Sequence, residues 1–237
     1  MKAVILNSGI GSRMGGLTDK KPKCLIELSP GETVLSRQIK LLLDNGIKRF
    51  LITTGPFGTI IEDYLEGKFP GLGSEYVVNE EFASTNYIYS MHLAGDKIRE
   101  DILLLHGDLV FSGNIVKKIL AAKESSCVLL EKNAPLPEKD FKGRIKENLI
   151  TEIGLNVFGD NCRFLLPFYK LSKAAIVSWM NAIDEFVASG QTKVYAENAF
   201  NEHSDKIKIA PLFFSDDICM EIDTLEDLAK AKSLLGN

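Results

Sequence analysis

The chain has 237 residues, 45% apolar and 25% charged, the balance of a globular protein with one main core rather than a disordered segment or two full-sized enzyme domains. With 28 basic and 32 acidic residues the net charge is −4, which gives no footprint for a nucleic-acid backbone and favours a small-molecule ligand. Apolar runs such as 4–6 and 102–105 fall far short of the roughly 20 residues that span a bilayer, and the first nine residues turn polar too early for a signal peptide. Cys24, Cys127, Cys162 and Cys219 lie far apart with no Cys-x-x-Cys, so neither a zinc site nor a disulfide framework is indicated, and a cytoplasmic location is expected.

Short β-branched and apolar runs at 2–6, 50–53, 76–78, 102–106 and 127–130 alternate with helical patterns. The alternation predicts an α/β fold: a Rossmann-like mixed, mostly parallel sheet with helices on both faces. After Glu32-Thr33, the residues Leu35, Ile39, Leu42 and Leu43 share a helix face, and Asn45-Gly46 ends that helix. Ile60, Ile61 and Leu65 mark a second helix, and residues 88–93 a third. Beyond about residue 131 the rhythm breaks, and Asn133-Ala-Pro-Leu-Pro-Glu reads as a loop leaving the main sheet. Residues 143–156 read as paired strands around Lys146-Glu147-Asn148, and 171–187 as a helix with Ile176, Trp179, Met180, Ile183 and Phe186 on one side. The chain closes on a helix whose start, Thr224 answered by Asp227, is a capping box. One domain is expected, with a core of about 1–131, a variable region of about 132–215 and a closing strand and helix at about 216–237.

Two places carry candidate chemistry. After the first strand comes Asn7-Ser8-Gly9-Ile10-Gly11-Ser12-Arg13-Met14-Gly15-Gly16, whose small residues let backbone N–H groups approach a triphosphate; a plain flexible turn would look the same. The dinucleotide fingerprint fails, because Met14 stands where its third glycine belongs, and no Gly-Lys-Ser/Thr is present for a P-loop. Arg13 offers a planar fork and Lys23 a point charge for phosphates. The second place is the end of an apolar strand at Gly107-Asp108, the sheet edge where open α/β folds bind ligands, together with Glu221-Ile222-Asp223 before the last helix. Either aspartate has a plainer reading, as a turn or helix-start residue. As a pair they could share one Mg²⁺, which needs only one or two protein carboxylates besides phosphate oxygens.

Leu6-Asn7-Ser8-Gly9-x-Gly11-Ser12-Arg13-Met14, followed by Thr18 and Pro22-Lys23-x-Leu25, resembles the signature of the sugar-phosphate nucleotidyltransferase superfamily. The resemblance implies a nucleotide site at Asn7, Ser8, Gly9, Gly11, Ser12, Arg13, Asn86, Ser90 and Gly107, with Arg13 and Lys23 on the phosphates and Asp108 and Asp223 holding the catalytic Mg²⁺. Residues 78–91, with Asn79, Asn86, Tyr89 and Ser90, resemble the phosphocholine cytidylyltransferase branch, which includes enzymes acting on phosphonates and phosphorylated amino-acid amides; Phe82 and Tyr87 depart from its pattern. The resemblance continues through Tyr195-Ala196-Glu197-Asn198 and Glu221-Ile222-Asp223 and implies CTP as donor, with acceptor contacts from Tyr195, Glu197, Asn198 and Glu221, an acceptor-binding region at about 132–215 and a small acceptor-binding insertion in the sheet.

The expected reaction is transfer of CMP to a small phosphorylated or phosphonate metabolite with release of pyrophosphate. Lys139, Lys142 and Arg144 favour an acidic or amide-bearing acceptor of the phosphoglutamine kind, as in surface polysaccharide modification, unless these charges are only a solvated face. Trp179 reads as core, and Ala196 stands where the choline branch has a bulky aromatic, so little of a cation cage is legible. Phosphocholine, aminoethylphosphonate and sugar 1-phosphates remain as alternative acceptors. A nucleotide-binding regulatory protein of the same fold is the non-enzyme alternative. His106 reads as structural, neither nucleic acid nor membrane is expected as partner, and a homodimer is compatible with the sequence.

Overall fold

The computed structural model describes residues 1–236. Strand β1 (Lys2–Asn7) leads through two short 3-10 turns, Ser12–Leu17 and Lys23–Leu25, to a ribbon of β2 (Glu27–Ser29) and β3 (Glu32–Thr33). Then follow α1 (Val34–Asp44), β4 (Arg49–Thr54), α2 (Gly58–Lys68), β5 (Gly73–Val78) and α3 (Tyr87–Ala94). The middle of the chain contributes β6 (Ile102–His106), β7 (Leu109–Phe111), α4 (Gly113–Ala121), β8 (Cys127–Glu131), the hairpin β9 (Lys142–Lys146) and β10 (Leu149–Gly154), and β11 (Cys162–Leu171). The last quarter holds α5 (Lys173–Ala188), α6 (Ala196–Glu202), β12 (Ala210–Phe214), β13 (Cys219–Glu221) and α7 (Leu225–Leu234).

Nine strands form the main sheet in the order β10-β9-β11-β6-β1-β4-β5, with β8 also on β11 and β12 on β8. Strands β5, β4, β1 and β6 run parallel, and β11 enters antiparallel beside β6. Because alternate side chains of a strand point to opposite faces, this sheet makes two cores. Val4, Leu51, Leu104 and Val128 pack under α3, α5 and α6, while Ile5, Ile52, Leu103 and Leu129 pack under α1, α2 and α4. A third, smaller cluster joins Met14, Val110 and Ile222 to Leu228 and Ala231 of α7. The expected mixed, mostly parallel sheet with helices on both faces is what the chain forms.

One sequence expectation, a helix start, is corrected here. Within 132–215, β11 and β12 are built into the main sheet, and the loop at 132–141 and the β9–β10 hairpin extend it. Residue 171 ends β11 rather than opening α5, which starts after Ser172, whose hydroxyl accepts from Ala175 N–H. The hairpin turn at Glu147-Asn148 has both residues in the left-handed region, φ 52° and 59°, as a tight two-residue connection requires. Among the described residues, no helix is long and apolar enough to cross a membrane.

Candidate active site

The parallel strands β1, β4 and β6 end in register, Leu6 opposite His106 and Asn7 opposite Thr54, so the loops that follow gather at one sheet edge. Gly107 allows the first contact there. A Cβ on it would stand 1.7 Å from Asn7 Oδ1, so only glycine lets the Asn7 side chain lie across the end of β6. Gly11 has φ 72°, and its missing side chain leaves room for Lys23, whose Cβ would be 3.0 Å from an added methyl. Thr18 closes the loop by donating from its hydroxyl to the Gly11 carbonyl, 2.9 Å away.

Four charged side chains meet at this edge. Lys23 Nζ donates to Asp108 Oδ2 at 2.7 Å and to Asp223 Oδ1 at 2.6 Å, while Arg13 Nη1 lies 2.9 Å from Asp223 Oδ2. Burial works against the Lys23 charge, but the two carboxylates outweigh it and hold its pKa above the ordinary lysine value. For Asp108 burial likewise opposes ionisation, and Lys23 followed by His106 brings its pKa below the usual carboxylate value. Burial first, then the nearby Asp108 and Asp223, push Glu221 up to about 6 against the pull of His106, whose Nδ1 is 3.5 Å from Glu221 Oε1. His106, Asp108 and Glu221 present ligand atoms within 4.8 Å of one another.

Three cavities open onto this cluster, and Asp108 lines all of them. One, about 190 Å³, runs between the β1 loop and α3 past Ser8, Gly9, Asn79, Asn86 and Ser90. A second of about 190 Å³ lies over Asn7, Gly9, Gly11, Arg13, Lys23 and Gly107. The third is larger, about 580 Å³, and lies between Arg13, Asp223 and the loop at 138–141. Three of the five buried polar side-chain atoms with no partner among the described residues point the same way: Asn7 Nδ2, His106 Nε2 and Asp108 Oδ1 belong to residues lining these cavities, while Gln38 Oε1 and Thr54 Oγ1 do not. Buried polar groups are normally paired, so their concentration marks a place built for a polar ligand.

The expected nucleotide residues Asn7, Ser8, Gly9, Gly11, Arg13, Asn86, Ser90 and Gly107 line the two smaller cavities; the side chain of Ser12 lies outside the described residues. Asn86 caps α3, accepting from Tyr87 N–H at 2.8 Å. Of the expected acceptor residues, Lys139, Tyr195 and Glu221 line the large cavity, and four do not. Lys142 is fully buried with its ammonium on the carbonyls of Pro137 and Glu138. Arg144 is bound to Glu152 and to the carbonyl of Phe158. Glu197 is buried and accepts from the hydroxyls of Tyr87 and Tyr169, and Asn198 caps α6 by accepting from Tyr195 N–H.

Residues that the sequence reading did not assign to the site also line the cavities. Phe82 and Thr85 line the first cavity, and His106 lines both it and the large one. The large cavity holds the carboxylates of Asp108, Glu138, Asp140, Glu221 and Asp223 against Arg13, Lys139 and the His106 imidazole. Its aromatic wall joins Phe141 and Tyr195, with ring centroids 5.1 Å apart, to Tyr87, 5.8 Å from Tyr195. Trp179 is core, donating to the Ala196 carbonyl at 2.9 Å. The alternating pattern of β9 could have warned that Lys142 and Arg144 face one side; nothing local revealed that Glu138 and Asp140 face the cavity.

Comparison with known proteins gives concordant results. The description of the MobA-like NTP transferase domain family matches residues 3–237. The chain is 30% identical over 128 residues, 54% of its length, to the CMP-5'-(3-aminopropyl)phosphonate synthase of Streptomyces rubellomurinus, and spans 20% of that protein. It spans 50% and 53% of two further relatives. It is 24% identical over 250 residues to the choline-phosphate cytidylyltransferase of Streptococcus pneumoniae, covering 100% of this chain and 99% of that one. Its fold superposes on the inositol-1-phosphate CTP transferase of T. maritima with a TM-score of 0.80 at 22% identity, covering 99% of this chain and 94% of that one.

Proposed function

We propose that this chain, which belongs to the MobA-like NTP transferase domain family, is a cytidylyltransferase that joins CMP from CTP to the phosphate or phosphonate of a small acceptor carrying a positively charged nitrogen. The observation that carries this reading is the meeting of Arg13, Lys23, Asp108 and Asp223 at the junction of three cavities, two of about 190 Å³ and one of about 580 Å³. Similarity to proteins named for making a CMP-phosphonate and for choline-phosphate cytidylyl transfer supports cytidine as the base.

An acceptor oxygen attacks the α-phosphorus of CTP, the bond to the β-phosphate oxygen breaks, and pyrophosphate leaves in line with the incoming oxygen. The acceptor phosphate is ionised at neutral pH, so no general base is required. Two anions must be brought together, and the protein's share of the work is alignment and charge compensation. Arg13 and Lys23 stand on the phosphate side of the junction, where they counter the charge that moves to the leaving group. Asp108 and Asp223 fit one Mg²⁺: both are hard oxygen donors, both already reach one cationic group, and Asp108 Oδ1 has no partner among the described residues. Bound there, such an ion supplies further neutralisation of phosphate oxygens.

The acceptor's chemistry is read from the large cavity. Besides Asp108 and Asp223, which pair with Lys23 and Arg13, the lining sets the carboxylates of Glu138, Asp140 and Glu221 against Lys139 and His106, and three aromatic rings stand beside them, a lining that suits an ammonium through charge and cation–π attraction. This departs from the acidic or amide-bearing acceptor expected from the basic residues, because Lys142 and Arg144 are committed to backbone carbonyls and to Glu152. Pyrophosphate release from CTP and Mg²⁺ should be supported by phosphocholine or 3-aminopropylphosphonate, and much less by an acceptor of the same length ending in a carboxylate. Preference for the carboxylate would overturn the acceptor reading.

A further inference from the structure

We propose that Lys142 is a positioning residue: it fixes the loop at 132–141 that walls the acceptor cavity, and through that loop it sets acceptor affinity without touching the acceptor. The inference rests on the cytidylyltransferase reading only for what the cavity binds, and the loop's anchoring is independent of it.

Lys142 is the first residue of β9 and has no exposed surface. Its Nζ donates to the Pro137 carbonyl at 2.7 Å and lies 3.5 Å from the Glu138 carbonyl. Among the described hydrogen bonds, residues 134–140 make no others, so this one ammonium supplies the polar tether of the segment. The tethered residues continue directly into Lys139, Asp140 and Phe141, which line the large cavity.

The tether is itself held from behind. The Phe158 ring covers the ammonium, with its centroid 4.3 Å from Nζ, and Arg144, two residues on along the same face of β9, binds the Phe158 carbonyl at 3.4 Å. Arg144 is braced in turn by Glu152 of β10, 2.7 Å from its Nε. Burial pulls the Lys142 pKa below the ordinary lysine value, as expected for an ammonium in a place chosen by carbonyls and an aromatic face rather than by an ion pair. A methionine would fill the same volume without that desolvation, so what the lysine adds is its three donors.

The test uses the full chain and the variants Lys142→Met, Lys142→Arg and Phe158→Ala, each checked for folding by circular dichroism. Phe158 is half exposed, so its truncation keeps the experiment available should Lys142→Met fail to fold. Hydrogen exchange of 132–141 without substrates should rise in Lys142→Met, rise less in Phe158→Ala and stay near wild type in Lys142→Arg. With phosphocholine as probe, Lys142→Met should raise the acceptor KM about tenfold while kcat and the CTP KM move less than about twofold, the signature of a displaced wall rather than a damaged centre. Unchanged exchange in folded Lys142→Met, or acceptor and CTP KM rising together, would overturn the proposal. If the wild type turns over no acceptor, the functional reading falls while the exchange result still decides the anchoring.

Discussion

Lys23 donates to two carboxylates that lie 85 and 200 residues away in the chain, and this one ammonium ties the glycine-rich loop to both ends of the site. Removing it should reach the chemical step more than binding: Lys23→Ala is expected to lower kcat by at least about a hundredfold, the scale of losing one preorganised charge, with a smaller change in the CTP KM. Steady-state kinetics on both parameters checks this, and a change confined to KM would make Lys23 an ordinary binding residue. Asp108→Ala and Asp223→Ala should each lower turnover by more than about a hundredfold while circular dichroism stays native, since neither side chain belongs to an apolar core and Lys23 keeps one partner in either variant. On the acceptor side, Tyr195→Ala should raise the KM of an ammonium-bearing acceptor about two- to thirtyfold, the range of one cation–π contact of roughly 0.5–2 kcal/mol. At this scale the sequence was most informative where the signal is local. Arg13, Lys23, Asp108 and Asp223 sit in short runs whose spacing announces a strand edge, whereas Lys142 and Arg144 look alike as free charges and only the folded chain shows where their donors go.

The start of α7 connects stability to the site at the level of an element. Asp227 Oδ2 accepts from Thr224 N–H at 2.8 Å and also from Asp223 N–H at 3.1 Å, so the helix cap holds the backbone that carries Asp223. Thr224→Ala removes only the other half of the box and should cost about 1 kcal/mol of stability, with turnover near wild type. Asp227→Ala should cost a similar amount and in addition lower turnover several-fold. Urea denaturation beside initial rates separates the two, and equal effects on rate would deny that the cap positions Asp223. Elements whose periodicity was clean, such as β1, α1 and the capped α7, are legible from the sequence alone. Strand β11 was not, because Pro167 interrupts it; the ladder to β8 shifts register between Leu166 and Tyr169, an irregularity of the kind at which the interior of a sheet accepts a proline.

Across the whole molecule, function depends on parallel strands ending together while the chain's later half returns to the same edge. That return brings Asp223 and the 138–141 loop against the opening glycine loop, and it was hidden from sequence reading because no local pattern records which distant segments share a cavity. The same geometry is what favours an acceptor ammonium over the acidic or amide-bearing acceptor expected from the run of basic residues: Glu138 and Asp140 face the cavity, and Lys142 lies behind the loop that carries them. The central claim is CMP transfer from CTP to a phosphate or phosphonate bearing a positively charged nitrogen. Its most direct test is a reaction of the purified chain with CTP, Mg²⁺ and, in parallel, phosphocholine, 3-aminopropylphosphonate and glucose 1-phosphate, followed by ³¹P NMR for the new phosphoanhydride and by pyrophosphate assay. The expected result is a CMP-linked product with equimolar pyrophosphate, formed at least about tenfold more efficiently from one of the two acceptors with a cationic nitrogen than from the sugar phosphate, the ratio a single charged contact provides. CTP binding without pyrophosphate release from any acceptor, or faster release with glucose 1-phosphate, would contradict it.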